Sequence, residues 1–190
     1  MELGALTVTQ YVVSLFIMGL IIYLILIFNG LVRLKNRNKK SWSNIDVLLK
    51  QRADELTKLI DTVKGYMKHE RGVLETLTKA RTDFLNAKTV SETASADNMI
   101  SSTLKTIFAV SENYPELKAS DNFIQLQNRI SGLENEIADR REFYNESVNT
   151  YNIRIQSFPD MFVARSMRYE DEDLFLVPEE DKKDVQIKFD

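Results

Sequence analysis

The 190-residue sequence has no cysteine, a single histidine (His69), six glycines and three prolines. Without cysteine there is no disulfide framework, no thiolate metal site and no cysteine nucleophile. One histidine rules out a histidine-based metal cluster and leaves His69 alone to complete any Ser-His-Asp arrangement. So little glycine and proline disfavours turn-rich β architectures and collagen-like or proline-rich disorder. The formal net charge of −3 is too mild for a nucleic-acid binder, and no aromatic-plus-basic pattern points to RNA or single-stranded DNA. Gly-x-Gly-x-x-Gly, Walker-type and nucleophile-elbow patterns do not occur. His69-Glu70 opens like a zinc-protease motif, but Arg71-Gly72-Val73 follow, so the second histidine at i+4 is missing. The residues therefore predict no catalytic group, no metal, no cofactor and no small-molecule substrate.

What is present begins with a long uncharged run. No charged residue falls between Glu2 and Arg33, and Val8 to Phe28 is almost wholly apolar. At 1.5 Å per residue that stretch covers about 30 Å, one hydrocarbon core. Its Leu, Ile, Val and Phe side chains from Val12 onward favour the bilayer by about 4 to 8 kcal/mol, as an upper bound. A cleaved signal peptide would carry Lys or Arg before the run and small residues after it. Here the leading segment is MELGALTVTQ and the trailing one NGLVRLKNRNKK, which reads as a retained anchor. Arg33, Lys35, Arg37, Lys39 and Lys40 follow the span and face the headgroups. By the positive-inside rule they place residues 33–190 in the cytoplasm and the N-terminus outside. Gly19 has Leu15 and Tyr23 at the relevant spacings, so the Gly-x-x-x-Gly dimer motif is absent.

From Trp42 the apolar residues recur at helical spacing: Ile45, Leu49, Leu56, Leu59, Val63 and Tyr66, then Val73, Leu77, Ala80 and Phe84. The rhythm weakens over Thr89–Ser102 and recovers at Ile100, Leu104 and Ile107. Tyr114-Pro115 stops it, Ser120 can cap the next helix, and that helix carries a seam from Phe123 through Tyr151 and Ile155 to Phe158 before Pro159. Matching lengths places a reversal near His69–Gly72 and cytoplasmic helices over roughly 30–68, 72–112 and 120–158. The expected fold is all-α: an N-terminal transmembrane helix continuing into an elongated antiparallel bundle of three long helices, with a short C-terminal helix or tail. The expected divisions are 1–30 for the outer segment and span, 31–165 for the cytoplasmic bundle and 166–190 for an acidic tail. From Tyr169 on, nine acidic residues face three basic ones. Leu174, Phe175, Leu176, Val185, Ile187 and Phe189 punctuate this tail and suggest that parts of it dock, with strand-like alternation at Val185–Phe189.

Arg52 and Glu70 fall on the seam of the first helix and Arg140 on that of the third, with Glu134 beside it. A buried charge needs a partner, so these four predict a structural polar network that fixes helix register. Tyr144-Asn145 and Tyr151-Asn152 recur seven residues apart, hence on one face, and predict packed rings with amides bonded across the bundle. Gly65 and Gly132 fall inside predicted helices, where close helix approach or a kink is the usual reason for a glycine.

Residues 29–70 (NGLVRLKNRNKKSWSNIDVLLKQRADELTKLIDTVKGYMKHE), Lys79–Arg81, ENYPELKASDNFIQLQ at 112–127 and RREFYNESVNTYNIRIQSFP at 140–159 together resemble the LemA family of bacterial membrane proteins. The resemblance runs from about Asn29 to Phe162. One departure is that Glu55-Leu56-Thr57-Lys58-Leu59 lacks a proline that the family usually carries there, so this helix is expected to run straighter. The resemblance implies one N-terminal span in the bacterial inner membrane and an all-helical domain. It supplies no activity, and it links relatives to membrane organelle formation and to neighbouring membrane proteases. The functional expectation is a non-enzymatic scaffold that contacts membrane lipids, forms a homo-oligomer and organises the membrane on its cytoplasmic face. The alternative is an accessory subunit of another membrane-protein partner, such as a protease or sensor kinase.

Overall fold

The structure, a computed structural model, describes residues 2–175, with side chains from residue 8. The tail positions Leu176, Val185, Ile187 and Phe189, and the strand-like alternation, lie outside the described residues. Among the described residues the fold is all-helical: α1 (Glu2–Lys64), α2 (Arg71–Asn86), α3 (Val90–Ser111), α4 (Pro115–Lys118), α5 (Asp121–Gln156) and α6 (Asp160–Ser166). Helix α1 has no break at 55–59, where proline is missing, so the apolar run and the first seam belong to one continuous helix. Helix α5 coincides with the helix expected over 120–158, and the Ser120 carbonyl accepts its first bond, from the Ile124 amide at 3.0 Å.

One expectation is corrected. The single helix predicted over 72–112 is two helices, α2 and α3, that reverse at Ala87–Thr89. They lie side by side, with Gly72 and Thr76 at the start of α2 facing Thr103 and Thr106 near the end of α3. The reversal has a local cause. Thr89 accepts from the Glu92 amide at 3.1 Å while the Glu92 carboxylate accepts from the Thr89 amide at 3.2 Å, a reciprocal capping box that starts α3. The backbone N–H groups of Lys88 and Thr89 hold the Glu92 carboxyl below its ordinary range. The earlier reversal also shifts: α1 stops at Lys64, so Gly65 and Tyr66 lie in the turn, and Tyr66 is exposed.

Contacts group the chain into two units. One unit holds residues up to Lys40 with Glu146–Glu172, and the other holds Ser41–Asn145 with the described residues from Asp173. In the first unit, Ile27 and Leu31 pack with Tyr151, Ile155 and Ala164, bringing the later part of α6 back onto α1. Gly30 makes room here, because a Cβ would meet the Arg154 guanidinium at 2.8 Å. In the second unit, α1 and α5 run antiparallel, with Trp42 against Tyr144 and Arg129 bonded to Glu55. Helices α2 and α3 complete that core with Leu77, Ala80, Phe84, Ile100, Leu104 and Ile107.

Gly132 lies inside α5, yet a Cβ there would meet nothing within 4 Å, so close helix approach is not its reason. Gly132→Ala should therefore stabilise the protein by up to about 1 kcal/mol, read as a higher midpoint in urea denaturation.

Candidate functional site

Three features bear on function, and the first is the anchor. From Val8 to Leu26 the large apolar side chains of α1 are exposed, each by about half or more. This helix is long and apolar enough to cross a membrane. Phe28, the expected end of the span, is also exposed, whereas Ile27 turns into the protein core. Arg33, Lys35, Arg37, Lys39 and Lys40 all point to solvent. Arg33 Nε bonds the Asn29 carbonyl, and Lys35 Nζ sits 4.2 Å from the centre of the Tyr169 ring.

The second is a buried charge cluster in the unit of residues 41–145. Asp97 on α3 is fully buried, and its two carboxylate oxygens accept from different arginines, Arg52 on α1 and Arg141 on α5. Arg52, 1% exposed, also bonds Ser101 Oγ at 3.1 Å and lies 3.5 Å from Glu134. Burial pulls the Arg52 guanidinium down to about 10, with Glu134 opposing and Arg141 assisting, so it stays charged at neutral pH. A second buried carboxylate, Glu55, is held by Arg129 at 3.0 Å and Lys58 at 3.1 Å.

Of the four residues expected in the network, the structure brings Arg52 and Glu134 together. Glu70 precedes α2 in the turn and makes no cap bond, and Arg140 faces solvent. Asp97 and Arg141 take those roles instead. Arg141 is one position from the predicted residue, a ~100° rotation on a helix. Asp97 was hidden because α3 had been read as the weak part of another helix.

The third is the C-terminal strap, residues 167–175. The amides of Asn145 and Asn152 do not bond across helices as expected; each grips one strap residue through its backbone. In the first unit, Asn152 donates to the Glu172 carbonyl and accepts from the Glu172 amide, both at 2.9 Å. In the second, Asn145 donates to the Phe175 carbonyl at 3.0 Å and accepts from its amide at 2.8 Å. Phe175 is buried beneath Arg141 and beside Trp42, so this part of the tail docks as its apolar residues suggested. Buried Asn38 accepts from Ser147 and donates to the Glu172 carboxylate.

No group of histidine, cysteine, aspartate and glutamate suited to a metal occurs among the described residues. A cleft of about 900 Å³ opens where α1 turns into α2, floored by Ile60, Met67 and Leu74 and rimmed by Lys64, Arg71 and Lys79. Its lining also carries Glu75, Asp83, Thr78 and Thr82, and Asp83 is paired with Lys79.

The LemA family model matches residues 41–189, most of the chain. The chain belongs to the LemA family. A protein LemA of Metamycoplasma hominis is 29% identical over 159 residues, covering 83% of this chain and 72% of that protein. The magnetosome protein MamQ 2 of Paramagnetospirillum magneticum is 35% identical over 69 residues, 36% of this chain. MamQ of Magnetospirillum gryphiswaldense is 30% identical over 69 residues, and the match spans 25% of either magnetosome protein.

Two stability measurements probe this site. Asp97→Ala leaves two arginines facing each other in the core and should cost about 3–5 kcal/mol in urea denaturation. Glu70→Ala and Arg140→Ala, outside the cluster, should each stay within about 0.5 kcal/mol of wild type.

The Tyr151 hydroxyl is buried and has no hydrogen-bond partner among the described residues. Burial, then the nearby carboxylates led by Glu172, push its phenol up to about 12. The folded phenol thus keeps its proton to higher pH than the unfolded one, and stability falls as pH rises from about 10 towards 12. Tyr151→Phe should be neutral or stabilising at pH 7, by about 0–1 kcal/mol, and should flatten that alkaline fall.

Proposed function

We propose that the protein is a non-enzymatic, membrane-anchored helical scaffold that self-assembles or organises the membrane at the cytoplasmic face. The observation that carries this reading is the continuity of α1 from Glu2 to Lys64. One helix holds both an exposed apolar run and a buried seam. The basic residues from Arg33 to Lys40, with no lysine or arginine before the run, support a cytoplasmic folded part in a single-pass inner-membrane protein. A non-enzymatic role is supported by where the charge lies. Of the most buried ionisable side chains, Arg52 and Asp97 pair with each other and Glu55 pairs with Arg129 and Lys58, rather than converging on a cavity. Similarity to magnetosome proteins supports a role at a membrane-bounded structure.

The mass of the purified full-length protein in mild detergent, measured beside a version beginning at Leu31, tests this. A defined assembly is expected for the full-length chain. If the shortened version also assembles, the contacts lie in the helices beyond the span; if it does not, the span is required. A monomer in both overturns self-assembly and favours the alternative, an accessory subunit that stays small until its membrane-protein partner is present.

A further inference from the structure

We propose that Phe158 and Phe162 form a second membrane contact, an aromatic wedge entering the interfacial layer of the bilayer that α1 crosses. The proposal rests on the reading of α1 as a span. The seam of α5, followed from Tyr151 and Ile155, makes Phe158 its next buried residue. Instead it is 79% exposed, and Phe162 on α6 is 59% exposed. The two rings meet edge to face, centroids 5.9 Å apart, as a single exposed aromatic surface, and neither is a member of the buried core cluster.

Their position within the first unit says what covers them. Arg154 crosses Gly30, and Ile155 packs on Ile27 and Leu31, so α5 descends α1 towards the apolar run. Helix α5 ends at Gln156, just past Ile155, so the turn that holds Phe158 begins at the end of that descent. Helix α6 then climbs back: Ala164 returns to Ile27 and Leu31, and Tyr169 reaches Tyr151 and Lys35. The end of this excursion, where both phenylalanines sit, therefore lies beside the last residues of the exposed apolar run. Charge fits the same surface. Arg165 and Arg168 on the returning segment are exposed, as are Arg33 and Lys35, and the one carboxylate in the turn, Asp160, is paired with Arg154 at 2.5 Å. Aromatic rings at the hydrocarbon edge with cations just above them match an interfacial layer containing anionic lipid.

The absence of cysteine makes the test direct. Phe158→Cys and Phe162→Cys are labelled with an environment-sensitive fluorophore in the full-length protein and reconstituted into vesicles of phosphatidylcholine and phosphatidylglycerol. Quenchers attached to the acyl chains report lipid contact. Leu26→Cys in the run and Leu85→Cys, an exposed site on α2, serve as references. Labels at 158 and 162 should be quenched several-fold more than at 85 and approach the level at 26. If they behave like Leu85→Cys while Leu26→Cys is quenched, the wedge is overturned and the span stands. If Leu26→Cys is not quenched either, the span reading fails and the wedge with it. Both positions are exposed, so the core should survive, which circular dichroism checks. Should a variant misfold, cross-relaxation between the assigned Phe158 and Phe162 ring protons of the native protein and acyl-chain protons gives the same reading, and its absence at these two rings overturns the proposal.

Discussion

The unit of residues 41–145 depends on the neutralisation of one buried carboxylate. Asp97 is fully inside the protein, and an unpaired charge there would cost several kcal/mol. Arg52 and Arg141, reaching it from α1 and α5, are what make its position tolerable. Because each oxygen takes a different arginine, sliding either helix by one turn would strand a charge. The cluster links three helices through one carboxylate, at a cost in desolvation that an apolar core would avoid. Ser101 and Glu134 fill out the remaining donors of Arg52. This also accounts for the composition of α3. Thr93, Ala94, Ala96 and Thr103 are buried small residues around Asp97, and the two threonine hydroxyls donate to carbonyls of their own helix.

That composition explains which parts of the fold were legible in the sequence. Where burial is apolar, the heptad spacing located it: Ile45, Leu49, Leu56, Leu59 and Val63 on α1, and Ile130, Leu133, Ile137, Tyr144 and Val148 on α5, are all buried. Proline and the missing proline also told the truth locally, ending α5 before Pro159 and leaving α1 unbroken at 55–59. The polar helix α3 defeated the same method, since a threonine that satisfies its own hydroxyl is as buried as a valine but carries no hydrophobic signal. The sign that was available was Thr89-x-x-Glu92, a capping box that marks a helix start where none was expected. With α2 and α3 joined on paper, Asp97 had no face and could not be paired with Arg52. Glu70 falls on the extrapolated seam of the first helix, but α1 ends at Lys64 and leaves it in the turn.

The strap was half legible for a different reason. Its acidity, Glu170 to Asp173, reads as a solvated tail, and the side chains are in fact mostly exposed. What docks it is its backbone. Asn145 and Asn152 each satisfy one residue's N–H and C=O with a single amide, which is independent of the side chain carried there. Sequence identifies the readers, because the Tyr-Asn pairs repeat at seven, but it cannot identify what they read. Only Phe175, which packs with Trp42 and Arg141, leaves a compositional trace of docking.

These devices share a direction. The most buried carboxylates and the strap-gripping amides are engaged in internal bonds: Asp97 with two arginines, Glu55 with Arg129 and Lys58, the asparagine amides with strap backbone. A carboxylate with both oxygens engaged, inside a core that admits no ligand, has neither the free lone pair nor the access that proton transfer requires. What the protein presents outward is different in kind: the apolar run of α1, the cations after it and the Phe158–Phe162 surface. A few polar residues, Arg52, Glu55 and Asp97 among them, are set into an interior that is otherwise mainly apolar, while the exposed apolar run of α1 is the feature an ordinary soluble fold would bury.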